Sequence, residues 1–125
     1  FPKKNTVPGF FTLMKQQGAV LAKGRLLGIQ FDTLFTENLY LKISAHAIDM
    51  AMRIKELLTE HGCPLYINSP TNQQFVVQRE ALKDRVSCET WEELENGAAA
   101  VRFASSWATK SEDVEELGRI LKTLP

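Results

Sequence analysis

The apolar positions Leu39, Ile43, Ala47, Met50, Ala51, Ile54, Leu57 and Leu58 recur every three or four residues, the repeat of a single helix face. Thr36 stands where an N-cap belongs and Gly62 where helices commonly end, so the spacing predicts a helix from Thr36 to Gly62. Residues 9–35 also read as largely helical, with Val20, Leu27, Phe31, Leu34 and Phe35 on related faces and Gly18, Gly24 and Gly28 interrupting the run. Gly24 and Gly28 lie about a turn apart, a spacing that lets another backbone approach closely and so offsets the helix propensity each glycine forgoes. The apolar excess of this first helix exceeds what one small domain covers. A partner is therefore expected, either the rest of a longer chain or a second subunit.

Beyond Gly62 the period shortens to two. Residues 64–68 read as a strand, 69–72 as a polar turn and 74–78 as a second strand. Residues 80–86 fit a short helix, 87–90 a short strand, 91–97 a connection, and 98–104 an alternating strand that carries Arg102. Thr109-Lys-Ser-Glu112 has the spacing of a capping box and opens a last helix with Val114, Leu117, Ile120 and Leu121 facing inward. Short strands joined by hairpins and helices predict an α+β fold: a three- to four-stranded antiparallel sheet covered on one face by helices, preceded by a long connecting helix. Residues 1–36 are the lead-in and connecting segment, and residues 37–125 the small α+β domain.

Composition narrows the possible functions. At 125 residues and 44% hydrophobic content the chain can hide roughly two thirds of its unfolded surface, enough for one modest core. It contains neither an apolar run of about 18 residues nor a secretory signal, so a soluble cytoplasmic protein is expected. The chain begins at Phe1 with an irregular stretch to Pro8, which suggests a piece of a longer protein. Cys63 and Cys88 are far apart and lack a CxxC spacing, so no metal site is expected and both should be reduced thiols.

The formal net charge of zero conceals an asymmetry. Residues 1–31 carry Lys3, Lys4, Lys15, Lys23 and Arg25 and no acid, whereas acids outnumber cations from residue 86 onward. The cations are too few, and too little interleaved with aromatics, for nucleic-acid binding. Lys23 and Arg25 instead suit a small anion, or form a solvated basic flank. Arg102 is the strongest single candidate. A guanidinium among apolar strand residues awaits an anionic ligand, snorkels to water, or pairs with Glu89, Glu92, Glu93 or Glu95.

Three segments carry a family resemblance. They are Leu21-Ala-Lys-Gly-Arg-Leu-Leu-Gly-Ile-Gln-Phe31, Ser69-Pro-Thr-Asn-Gln-Gln-Phe75, and Val101-Arg-Phe-Ala-Ser-Ser-Trp-Ala-Thr109 with the acidic helix that follows. In order and spacing they resemble the C-terminal part of threonine aldolases and β-eliminating lyases, over essentially the whole chain. The resemblance implies the small C-terminal domain of an aminotransferase-like fold, in a homo-oligomeric enzyme that uses pyridoxal phosphate to cleave β-hydroxy-amino acids to glycine and an aldehyde.

By the same resemblance, Arg102 binds the substrate α-carboxylate, and Lys23 or Arg25 approaches the cofactor phosphate. Ser69, Thr71 and Asn72 border the cleft, although a plain turn explains them equally well. The lysine that holds the cofactor and the remaining cofactor contacts belong to an upstream large domain and are not recognisable here. Lys23 lies inside an apolar helical segment, a poor setting for that lysine, and His46 and His61 are poor catalysts by pattern. The segment alone is expected to be inactive. A β-eliminating lyase or aminotransferase of the same superfamily, or a non-catalytic interaction module derived from the fold, remain the alternatives.

Overall fold

The computed structural model describes residues 6–83 and 85–124. The chain divides into two compact units, Phe1–Leu39 and Tyr40–Pro125. The first contains α1 (Phe10–Gln16) and α2 (Gly24–Phe35). The helix expected across residues 9–35 is thus broken, at Gly18, whose φ of 68° takes the backbone out of the right-handed helical region. No described side chain of this unit is buried. The earlier part of the lead-in, with Lys3 and Lys4, lies outside the described residues.

Thr36 does not cap the following helix. Its hydroxyl donates back to Asp32 O at 2.6 Å, and Glu37 and Asn38 adopt left-handed backbone (φ 51° and 59°) before α3 (Leu39–Glu60) starts. The other end of α3 follows the expectation. Gly62 has φ 78°, its N–H donates to Thr59 O at 3.2 Å, and the Cys63 N–H donates to Leu58 O at 2.9 Å. That pair of bonds is the Schellman arrangement, which needs a residue free to turn left-handed.

The second unit carries one antiparallel sheet. Its strands are β1 (Leu65–Ile67), β2 (Gln73–Val77), β3 (Glu89–Glu93) and β4 (Ala99–Ala104), in the order β1-β2-β4-β3. Across β2 and β4, Val76 stands opposite Val101 and Phe75 opposite Arg102, so alternate pairs face opposite sides. Val76 and Val101 join Ile54, Leu57 and Leu58 of α3 and Val114, Leu117 and Leu121 of α4 (Ser111–Lys122) in one core. Each such fully buried side chain contributes about 1.5–3 kcal/mol by leaving water. The fold is the expected α+β type, with helices on one sheet face and Arg102 on the other.

Three local readings change. The short helix expected over residues 80–86 is only a 3-10 turn, Glu80–Leu82, among the described residues. β3 runs through Trp91 to Glu93 rather than ending at Thr90, with a register shift between Thr90 and Glu92. α4 has Lys110 at its N-cap and no capping box, because the Thr109 hydroxyl accepts from the Ser106 N–H at 2.9 Å instead.

Candidate functional site: the surroundings of Arg102

β4 is an interior strand, so Arg102 is flanked on both sides. Phe75 of β2 and Glu89 of β3 are its register partners. Its Nη1 donates to Gln73 Oε1 at 3.2 Å, and its Nη2 donates to Glu89 Oε2. The guanidinium carbon lies 5.4 Å from the centre of the Trp91 ring, which in turn meets Phe75 edge-on at 5.1 Å between centroids. Trp91 is therefore a cation–π floor that Phe75 holds in place. The Arg102 side chain is 27% exposed and that of Glu89 62%.

A groove of about 400 Å³ opens where β3 begins and β4 ends. Arg102 and Glu89 line it together with Ser87, Cys88, Phe103, Ala104 and Ile54. Burial pushes the Cys88 thiol above its ordinary pKa, so it stays protonated at neutral pH. Farther along the same sheet, the Tyr66 hydroxyl donates to Glu92 at 2.5 Å, a bond that raises the phenol's pKa.

The loop carrying Ser69, Thr71 and Asn72 leads directly into β2 and meets the segment after β4. Asn72 Nδ2 donates to Ser105 O at 2.8 Å, and the Ser105 N–H donates to Asn72 O at 3.0 Å. Ser69 Oγ accepts from the Thr71 N–H at 3.2 Å and lies 2.9 Å from Thr71 Oγ1. Lys55 Nζ donates to Ser69 O at 3.3 Å and to Asn68 Oδ1 at 2.5 Å. The Ser69–Thr71 bonds are those of a plain Ser/Thr turn, and Lys55 and Ser105 tie the loop to α3 and to the segment after β4. Through Gln73, which follows Asn72, the loop stands beside Arg102. Gln74 is fully buried; its Nε2 donates to Thr71 O at 2.7 Å, while its Oε1 has no partner among the described residues.

Lys23 and Arg25 lie in the other unit, at the start of α2. Both are exposed, and neither has an ion-pair partner among the described residues. His46 Nε2 donates to Thr109 O at 2.8 Å and His61 Nδ1 to Leu57 O at 2.8 Å, so both rings serve backbone geometry. Sequence reasoning missed Gln73 and Trp91. The alternation of β2 across from β4 would have pointed to Gln73, whereas Trp91 was hidden by the acids on either side of it.

A pyridoxal phosphate needs a lysine amine, an anionic partner for its ring nitrogen and several phosphate donors within one cavity. No described lysine lines the Arg102 groove, and Lys55 is tied to the 68–69 turn. The described residues do not by themselves form a site for that cofactor. Nor does any group of three or more His, Cys, Asp or Glu among them suit a metal ion, and no described helix is long and apolar enough to cross a membrane.

No family model and no curated protein matches the chain. Among solved structures, a threonine aldolase from Leishmania major matches over 93% of this chain at 35% identity, with a TM-score of 0.77. The chain spans 35% of the length of that protein. Likeness in sequence and in backbone across nearly all its residues makes this chain a threonine aldolase-like domain.

Proposed function

We propose that the chain is the C-terminal small domain of a pyridoxal-phosphate-dependent lyase that cleaves β-hydroxy-amino acids to glycine and an aldehyde. Its own contribution is to bind the substrate α-carboxylate through Arg102. The observation that carries this reading is the setting of that guanidinium. It is half-buried at the mouth of a groove, oriented by Gln73 and Trp91, and already in contact with a carboxylate, that of the exposed Glu89. A planar fork held this way can take a carboxylate through two parallel hydrogen bonds. Fixing that end of the amino acid would orient its Cα–Cβ bond for cleavage. The bond-breaking chemistry would be supplied by the cofactor, held mainly by the large domain of the same protein, with Lys23 or Arg25 at its phosphate. On this reading the chain alone is inactive.

The test is Arg102→Lys in the complete enzyme. An ammonium is a point charge and cannot reproduce the fork. One lost charge-assisted hydrogen bond is worth about 1.5–3 kcal/mol, so kcat/KM toward threonine is expected to fall about 10- to 150-fold, with Arg102→Ala worse. The melting temperature should barely move, because an ion pair with a partner as exposed as Glu89 contributes little to stability. Unchanged kinetics would remove the reading and leave Arg102 as a structural partner of Glu89. The uncovered apolar side chains of the first unit favour a second reading, a non-catalytic interaction module. A complete chain with no lyase, β-elimination or transaminase activity would select it.

A further inference from the structure

The carboxylate on Arg102 belongs to the chain itself. Glu89 heads β3, an edge strand, directly across from Arg102 in register. The two sides of the pair are held differently: Gln73 and the Trp91 ring keep the guanidinium in place, while the Glu89 side chain is mostly in solvent and makes no other hydrogen bond among the described residues. We propose that Glu89 is an intramolecular competitor for the carboxylate-binding guanidinium. Without amino acid it occupies Arg102 and keeps the fork aligned at the groove; a substrate must displace it, so Glu89 sets the affinity for the amino acid. The inference rests on the carboxylate-binding role of Arg102. Its physical basis is that two carboxylates cannot share Nη2 without repulsion, and that an exposed acid is cheaply released to water.

In the complete enzyme, Glu89→Gln is expected to lower KM for threonine about two- to fivefold, the worth of a weak ion pair. The change should fall on KM rather than kcat, because displacement precedes chemistry, and the inhibition constant of glycine should drop by the same factor. Added salt should narrow the gap, since screening weakens the pair in the wild type alone. Glu92→Gln removes the same charge from the same strand without touching Arg102, and should leave KM at its wild-type value. If KM is unchanged or raised in Glu89→Gln while Arg102→Lys loses kcat/KM, the competitor is overturned and carboxylate binding stands. If both variants behave as wild type, carboxylate binding falls and the competitor falls with it. A lowered melting temperature with unmoved KM would give Glu89 a structural role only, and would also overturn the proposal.

Discussion

Phe31 and Leu58 are both large apolar residues on helices, yet Phe31 is 65% exposed and Leu58 0%. The contrast holds for the two units that contain them. Residues 6–39 include Phe10, Phe11, Leu26, Ile29 and Phe35, and none is buried within its own unit. Residues 40–124 enclose a continuous core from α3, the sheet and α4. Both regions have helix-forming sequence, so propensity does not separate them. What separates them is a sheet: α3 and α4 have an apolar face to cover, and α1 and α2 have none in their own unit. An amphipathic helix gains most of its stability from packing, and no described side chain of the first unit is buried.

The largest way to break this comparison is to delete matched side chains. In unfolding by denaturant, Leu58→Ala is expected to cost the chain about 2–5 kcal/mol, lost transfer energy plus a residual cavity. Phe31→Ala should stay within about 0.5 kcal/mol, as for surface positions generally. A Phe31→Ala cost equal to that of Leu58→Ala would mean the first unit has a core of its own. The same Phe31 variant in the complete protein sharpens the point, because a large cost there identifies the covered face.

The parts legible in the sequence are those in which one periodic pattern controlled many residues. The stripe from Leu39 to Leu58 ended where Gly62 turns left-handed, and the alternation around Arg102 put Val101 and Arg102 on opposite sheet faces. Errors arose where a side chain had two possible backbone partners. Thr36 bonds back to Asp32 rather than forward, and Thr109 closes a turn with Ser106 rather than opening α4. Both hydroxyls sit at the expected boundary, but local spacing does not reveal which neighbour they choose. β3 was cut short for a different reason. All five of its residues are exposed, and an edge strand rich in glutamate reads as a loop. The candidate site was half legible: Arg102 and its pairing with one of four nearby acids were readable, but choosing Glu89 among them, and finding Trp91, required the register.

The next prediction concerns the cations, which the division puts in the unit without a core. If Lys23 or Arg25 meets the cofactor phosphate, replacing the one that does so with alanine removes a charge-assisted hydrogen bond of about 1.5–3 kcal/mol. Cofactor retention in the complete enzyme, followed by its visible absorbance during dialysis, should weaken by about 10- to 150-fold for that variant. Both side chains are exposed and unpaired among the described residues, so the unfolding of residues 40–124 should not change. Retention equal to wild type in both variants would return the pair to the role of a solvated basic flank.

The smallest effect compares two glycines with the same backbone requirement in different settings. Gly62 has φ 78° and Gly18 φ 68°, and alanine in that left-handed region costs about 1–2 kcal/mol. At neither position is crowding the cause. A Cβ on Gly62 would meet only Arg79 Nη1, at 3.9 Å, and one on Gly18 would meet nothing within 4 Å. The intrinsic strain is therefore alike, and only the consequence differs. Gly62 closes α3 just before Cys63 enters the core, and Arg79 Nη1 donates to the His61 carbonyl beside it at 2.6 Å. The left-handed turn is thus locked by packing, and Gly62→Ala should lower the cooperative stability of residues 40–124 by the full 1–2 kcal/mol, with Gly62→Asn, which tolerates the region, costing less. Gly18 has no core to hold its conformation, so in Gly18→Ala the backbone can relax and the unfolding transition should stay where it is. Equal losses at both positions would show that the first unit unfolds cooperatively with the second, and the contrast between them would not survive.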